Sequence, residues 1–267
     1  MRCRQAGQCG FVLLVVLWTL ALLALLGTQL AATSRQDMRL ARNLLDAASL
    51  EAAANGAVQR AIFNLLDSSS QRWAADGTPH IIRLGRSLVA VQVEDEADKV
   101  NPSIASPALL QALMQQVGAD PKTAASVAAS IVEWRLAGGI PNRPSAVAVR
   151  YASAGRDYAP SGAAFASVGE LSNVLGMTPE LLARLRPHLT VFTDSDPPAT
   201  THDLVVAEAL ASAGQRDADA GDSGVGLVSV TADARGPDRA RFTVHVVVRI
   251  NGELEGRRYE VLAYERS

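Results

Sequence analysis

Cysteine is nearly absent from this chain, and its two copies, Cys3 and Cys9, both lie within the first ten residues. Without that short stretch the remainder can form neither a disulfide nor a thiolate metal site. The four histidines, His80, His188, His202 and His245, are scattered without the spacing of a metalloprotease helix. A Gly-x-Ser-x-Gly elbow and a phosphate-binding glycine loop are also missing, so no enzymatic activity is expected. Positive charge is not in excess either. The 25 Lys and Arg against 27 Asp and Glu give a formal charge of -2, and losing Arg2 and Arg4 would leave 23 against 27, or -4. The chain therefore lacks the electrostatic footprint of a nucleic-acid binder. Charge is missing altogether between Phe11 and Ser34.

That uncharged run follows a short cationic stretch, Met1 to Gly10, which is too polar to enter a bilayer. A secretory signal is cut after its apolar segment, among small residues. Here the small-residue boundary, Gly10 before Phe11, precedes it. Cys9 likewise precedes the apolar run, whereas a lipidated cysteine follows one. Phe11 to Ala32 is 22 residues. At about 1.5 Å per residue it makes a helix of roughly 33 Å, enough to cross a membrane once. A plain signal anchor would satisfy the same requirement.

No proline occurs from Thr33 to Leu66, and small or apolar residues recur at helical spacing: Met38, Ala41, Leu45, Ala48, Ala52, Val58, Ile62 and Leu65. The simplest reading is one helix from Phe11 to about Leu66, roughly 84 Å long, with an amphipathic second half. Gly27 and Gly56 are where it could break or bend. After a turn at Asp76-Gly77-Thr78-Pro79, His80 to Val93 reads as extended, with Val89, Val91 and Val93 alternating. Val225 to Ala232, Arg241 to Ile250 and Arg258 to Ala263 are further strand candidates, the last two joined through the hairpin dipeptide Asn251-Gly252. One antiparallel sheet packed on the amphipathic half of the long helix is expected.

Between the strand regions, Ala108 to Val117, Pro121 to Trp134, Val168 to Leu175 and Pro179 to Leu185 read as helices, with Ser167 and Thr178 as caps. Gly138 to Gly162 reads as a loop, and Gln215 to Gly226 as a flexible connection. This gives an α+β fold with a large α-helical insertion. The expected divisions are a leader at 1–10, a membrane part at 11–32, helix and first strands at 33–105, the insertion at 106–190 and the remaining strands at 191–267.

These segments resemble the K-type minor pseudopilins of type II secretion, general secretion pathway protein K, along nearly the whole chain. The leader junction and anchor, Gly10-Phe11-Val12-Leu13-Leu14-Val15-Val16-Leu17-Trp18, look like those of type IV pilin and pseudopilin precursors. Glu94-Asp95-Glu96-Ala97-Asp98-Lys99-Val100-Asn101 resembles the family's entry into its insert, and Ser126 to Trp134 its helix ending in an acidic residue and tryptophan. Phe165 to Leu171 and Gly176 to Leu181 resemble its most recognisable block. The resemblance implies a type IV pilin-like fold, cleavage between Gly10 and Phe11 by the prepilin peptidase, and methylation of Phe11. It also implies a single-pass inner-membrane protein with a periplasmic head that starts or caps the pseudopilus. The implied partners are minor pseudopilins of types I, J and H, the major pseudopilin and the inner-membrane assembly platform, with no nucleic acid.

Val15 is the fifth residue counted from Phe11, where most pilins carry glutamate. An unpaired carboxylate in lipid is expensive, and a subunit with no predecessor in the fibre has no amino terminus to pair it. Valine there fits a tip position, and fits a plain anchor equally. Calcium is the one cofactor implied, in the helical insert of some family members. The carboxylates Glu94, Asp95, Glu96 and Asp98 are the candidates by composition, with a solvated strand end and helix cap as the competing reading. The acidic residues expected after the tryptophan are replaced by Arg135-Leu136-Ala137-Gly138-Gly139. Glu170 to Leu185 also resembles a helix-hairpin-helix module, which makes an anchored DNA-binding or DNA-uptake protein the alternative. Trp18 reads as a lipid- or helix-packing residue, Trp134 as a core anchor, and Phe165 and Tyr158 as packing groups for the loop.

Overall fold

A computed structural model describes residues 8–67, 69, 72–137, 146–215, 226–236, 240–251 and 258–266, apart from the side chains of 8–10 and 27–35. Helix α1 runs from Gln8 to Leu65, 58 residues, as one assigned element through both Gly27 and Gly56. No proline interrupts it, and its alanine-rich second half favours helix over alternatives. It stops where Asp67 turns its carboxylate onto the chain ahead, accepting from the Ser69 amide at 2.9 Å and the Ser69 hydroxyl at 2.8 Å. Asp and Asn end helices this way because a short carboxylate or amide competes for backbone N–H groups.

The first part of α1 is apolar and exposed from Phe11 to Leu26. Its one hydroxyl, on Thr19, donates back to the Val16 carbonyl at 2.8 Å and so needs no water. Among the described residues no helix is long and apolar enough to cross a membrane. The run with described side chains measures about 24 Å, and the remainder of the expected span, to Ala32, falls among residues whose side chains lie outside the description.

Five strands form one antiparallel sheet in the order β1-β2-β3-β4-β5. They are β1 (His80–Leu84), β2 (Ser87–Asp95), β3 (Gly226–Arg235), β4 (Arg241–Ile250) and β5 (Tyr259–Arg266). The stretch expected to be one extended segment is a hairpin. Leu84 pairs with Ser87, and Gly85 between them takes a φ of +58°, a conformation that suits glycine. Asn251 closes the β4–β5 end by donating to the Arg258 carbonyl at 3.1 Å, and Gly252 lies outside the described residues. Val89, Val91 and Val93 point into the core with Val228, Val230, Val244, Val246 and Val248, opposite Leu50, Ala54, Ala57, Val58, Ala61 and Ile62 of α1.

The helical insert occupies the long connection between β2 and β3. Its helices are α2 (Pro107–Gln116), α3 (Pro121–Leu136), α4 (Ala146–Ser153), α5 (Pro179–Leu185) and α6 (Leu204–Ser212), with a 3-10 turn at Val168–Asn173. Two of these correct the sequence reading. Part of the expected loop is α4, whose Tyr151 is fully buried in the insert core. The insert also continues past residue 190, because α6, capped by Asp203, adds Val206, Ala209 and Leu210 to that core. The Gln215 to Gly226 connection falls, from residue 216 to 225, outside the described residues. Thr178 caps α5 as expected, accepting from the Leu181 amide. Ser167 makes no side-chain cap bond. Glu170 binds the Ala166 amide there instead, at 2.8 Å, while its other oxygen accepts from the Trp134 indole at 3.1 Å.

Candidate functional site

The first features of note are the surfaces that α1 and the sheet leave uncovered. Gly10 and Phe11 fall in the first turns of α1, and Phe11 is exposed. Val15 lies on the same exposed apolar strip as Trp18 and Leu22, at helical spacing. Farther along, Met38, Leu40, Leu44 and Leu45 are exposed before the sheet begins to cover the helix at Leu50. This is the wrong distribution for an isolated soluble helix, whose apolar face would be covered.

Helix α1 lies over the middle of the sheet and does not cover β5. Residues paired across a ladder share a face. Val244, Val246 and Val248 face α1, and their partners on β5 are Arg266, Tyr264 and Val261. A register shift between Val247 and Val248 keeps this set on one side. These β5 side chains reach α1 only through their tips. Tyr264 donates to Asn55 Oδ1 at 2.9 Å, Tyr259 to Gln59 Oε1 at 3.3 Å, and Arg266 approaches Glu51 at 3.5 Å. Glu51, Asn55 and Gln59 climb α1 in steps of four, and the next step is Phe63. Phe63 is 71% exposed, Val261 46% and Tyr264 48%. Phe63, at the end of the α1 stripe that Tyr264 and Tyr259 reach, stands with Val261 and Tyr264 as an exposed, partly aromatic ledge beside α1. Sequence reasoning missed it because it depends on which strand lies at the sheet edge; the tyrosines of the last strand were its only signal.

The four carboxylates expected as a group separate into different tasks at the junction of sheet and insert. Lys99 Nζ lies 2.7 Å from Glu96 Oε1, 3.0 Å from Glu94 Oε2 and 3.0 Å from the Ser229 hydroxyl on β3. Glu96 and Lys99 are buried. Burial pushes the Glu96 carboxyl up, yet the Lys99 charge and hydrogen bonds outweigh it and hold the group below the usual carboxylate range. Lys99 is shifted up: burial opposes its charge, and Glu96 and Glu94 more than offset that. Asp98 faces His202 at 2.9 Å, and Asp95 caps the turn by accepting from the Ala97 amide at 2.9 Å. Burial raises the Asp95 carboxyl, with Asp98 and Glu96 adding to the effect. Among the described residues no group of three or more His, Cys, Asp or Glu is placed to hold a metal ion.

Around this junction the chain enters and leaves the helices side by side. Val100 donates to the His188 carbonyl at 2.9 Å and accepts from the Thr190 amide at 3.0 Å, a short parallel bridge. His188 Nδ1 lies 2.5 Å from Asp203, which caps α6. Arg184 of the hairpin-like segment lies close to Gly118, and Arg186 lies close to Gly169 and 4.0 Å from Glu265 of β5.

Residues 86–194, from the β1–β2 turn through α5 and the bridge, match the family described as Type II secretion system (T2SS), protein K. The chain carries a protein K domain. Its role is that of a K-like minor pseudopilin in type II secretion, a machine of the cell envelope. No curated protein matches it by sequence. Among solved structures, a chain of the crystal structure of the GspK-GspI-GspJ complex from the enterotoxigenic Escherichia coli Type 2 Secretion System is similar in fold. The TM-score is 0.56 at 15% identity, covering 88% of this chain and 99% of that one. That share is larger than residues 86–194 alone, so the likeness in mixed helical and antiparallel-sheet fold extends beyond the matched domain.

Proposed function

We propose that this protein is a pilin-like subunit, anchored once in the inner membrane with a periplasmic head, that is cleaved after Gly10, methylated at Phe11, and starts or caps the tip of the pseudopilus. The observation that carries this reading is the uncovered side of the molecule. Helix α1 is apolar and exposed over residues 11–26 and buried on one face only from Leu50 onward. The ledge of Phe63, Val261 and Tyr264 continues that free surface onto the head. A neighbouring subunit's long helix fits alongside α1 and over β5. Subunits of types I and J are the proposed neighbours, in keeping with the complex in which the similar structure was solved, and the H-type and major pseudopilins extend the fibre below. Val15 supports the tip position, since a first subunit has no neighbour to pair a glutamate there. The bulk of the insert supports it too, because a wide head stacks poorly beneath copies of itself.

Two measurements test this reading. Mass spectrometry of the membrane-extracted protein from cells with a working prepilin peptidase should find Phe11 as a methylated first residue. Retention of Met1 to Gly10 would reduce the protein to an anchored domain. Co-purification with the I-type and J-type subunits should weaken roughly tenfold when Phe63→Glu places a charge on the ledge. Unchanged capture would move the interface elsewhere.

A further inference from the structure

Successive side chains of a strand point to opposite faces of the sheet, and the face turned away from α1 is only partly covered. At the end where β3 begins, the insert reaches it: Lys99 approaches the Ser229 hydroxyl at 3.0 Å and Arg186 approaches Glu265 at 4.0 Å. At the opposite end the face is open, with Ile81 68% exposed and Leu88 45%. There the register sets four residues in one row across four strands. Arg83 stands opposite Leu88, Leu88 opposite Arg235, and Arg235 opposite Arg241. Their chain neighbours Ile82, Val89 and Ala234 are buried against α1, so the row points outward. With strands about 4.8 Å apart, it is roughly 14 Å long. Arg86, in the β1–β2 turn, adds a further exposed cation beside it.

Like charges directly opposite on a ladder oppose pairing. Asp233, one row in, offsets that repulsion between Arg235 and Arg241. Its carboxylate accepts from Arg235 Nε at 3.2 Å and Nη2 at 3.0 Å, and from Arg241 Nε at 2.6 Å. Asp233 is buried, whereas the side chains of Arg235 and Arg241 are 69% and 62% exposed. Arg83 and Arg86 have no ion-pair partner among the described residues. Four arginines thus face one carboxylate, in a chain whose formal charge is -2, and Asp238 and Arg239 of the β3–β4 connection bring one charge of each sign. The position of the row decides between a membrane and a protein as its complement. Gly236 lies against the Leu50 side chain, at the first covered turn of α1. Leu50 is about 27 Å along the helix from Ala32, where the membrane part is expected to end. Charges are screened over about 8 Å at physiological ionic strength. Lipid phosphates therefore lie out of reach, and a neighbouring head does not. Every cation of the row is arginine, whose fork takes a carboxylate through two parallel bonds. Arginine mixed with exposed Ile81 and Leu88 also matches the composition of protein interfaces, which favour it over lysine.

We infer that this arginine row docks an acidic segment on the head of a neighbouring subunit, whose carboxylates meet the guanidinium groups while an apolar side chain rests on Leu88 and Ile81. The inference rests on the reading of the protein as an assembly subunit, and it adds an electrostatic contact on the face opposite α1. The full chain in detergent would be mixed with the I-type and J-type subunits. Capture by the unaltered protein should fall steeply as salt rises from about 50 to about 500 mM. Arg83→Glu with Arg86→Glu should weaken capture at least about tenfold at the lower salt and flatten the salt dependence. Arg83→Gln with Arg86→Gln, which introduces no acid into the fold, should give a smaller loss in the same direction. Capture unchanged by both pairs of substitutions overturns the arginine row and leaves the tip reading standing. Failure of the unaltered protein to capture either subunit overturns that reading, and the row's partner with it. Lipid is tested separately, by modifying arginines with phenylglyoxal in the unaltered protein reconstituted without partners. Labelling of Arg83 and Arg86 should be equal in phosphatidylglycerol and phosphatidylcholine bilayers; protection in phosphatidylglycerol alone would assign the row to the membrane and overturn the inference.

Discussion

Beneath α1 the core is small and β-branched, whereas the core of the insert is large and aromatic. The first brings Ala53, Ala54, Ala57 and Ala61 against rows of valine from β2, β3 and β4, and no aromatic side chain is among its buried members. The second centres on Trp134, with Tyr151 at 5.7 Å, Tyr158 at 6.2 Å and Phe165 at 6.3 Å between ring centroids. The difference separates two jobs. Alanines let a helix lie close on a sheet along a narrow seam, leaving its outer face uncovered. Aromatic rings instead close the insert on itself, since one such group covers as much area as several small ones. What joins the cores is polar: the Lys99 cluster and the bridge at Val100.

That joint is where the comparison breaks most sharply. Lys99→Met leaves Glu96 buried without its cation, and a loss of about 3–5 kcal/mol in denaturant unfolding is expected. Replacing both, Lys99→Met with Glu96→Leu, should recover most of it, because the pair's attraction is set against its own desolvation. The pH dependence carries a sign. Glu96 has a depressed pKa in the fold, so its contribution is present above the unfolded carboxylate pKa and is lost as pH falls through the folded one. Lys99 has a raised pKa, so its contribution is present below the unfolded lysine pKa and is lost as pH rises through the folded one. In Lys99→Met nothing offsets the effect of burial on Glu96, so the difference between the single and unaltered proteins should shrink on the acid side as Glu96 takes up a proton, and shrink again in base as Lys99 loses its charge in the unaltered fold. A difference that grew as pH fell from 8 to 6 would mean that groups other than this pair dominate the joint.

The two cores should also respond oppositely to a change of size. Trp134→Ala removes the centre of the aromatic cluster and the donor to Glu170, with a loss of about 3–5 kcal/mol. Beneath α1 enlargement is the damaging change. Ala57 is fully buried, and Ala57→Leu should cost about 1–3 kcal/mol by forcing helix and sheet apart. A tolerated leucine would show that the seam is looser than its alanines imply.

How much of this was legible follows the same division. The helix–sheet unit repeats simple periods, so α1, the valine alternation in β2 and the bounds of β4 could be read from residue spacing. The hairpin at Gly85 was missed because its turn, Gly85-Arg86, is only two residues long and the apolar residues on either side read as one extended run. In the insert, short helices carry too few turns for periodicity to speak: α4 passed for a loop although Val147 and Tyr151 stand four apart, and α6 went unread although Asp203 marks its start. The carboxylate run was read by composition as a group, but a strand followed by a 3-10 turn fans successive side chains in different directions. The ledge on β5 required knowing the sheet order, which no local pattern encodes.

The smallest expected effects test how local signals hold the insert together. Ser106, Asp120 and Thr178 each accept from an amide of the helix that follows, and each helix opens with proline. Ser106→Ala and Thr178→Ala should each cost about 1 kcal/mol. Ser167 stands at an equally promising place, three residues before Glu170, yet its hydroxyl makes no cap bond and Glu170 serves the Ala166 amide instead. Ser167→Ala should therefore change unfolding by less than about 0.5 kcal/mol. A loss as large as that at Thr178 would show that the hydroxyl does cap in solution, and that the Trp134–Glu170 contact is free to rearrange. Equal indifference at all three positions would mean that the insert is held by its rings alone, with its helix ends following the core.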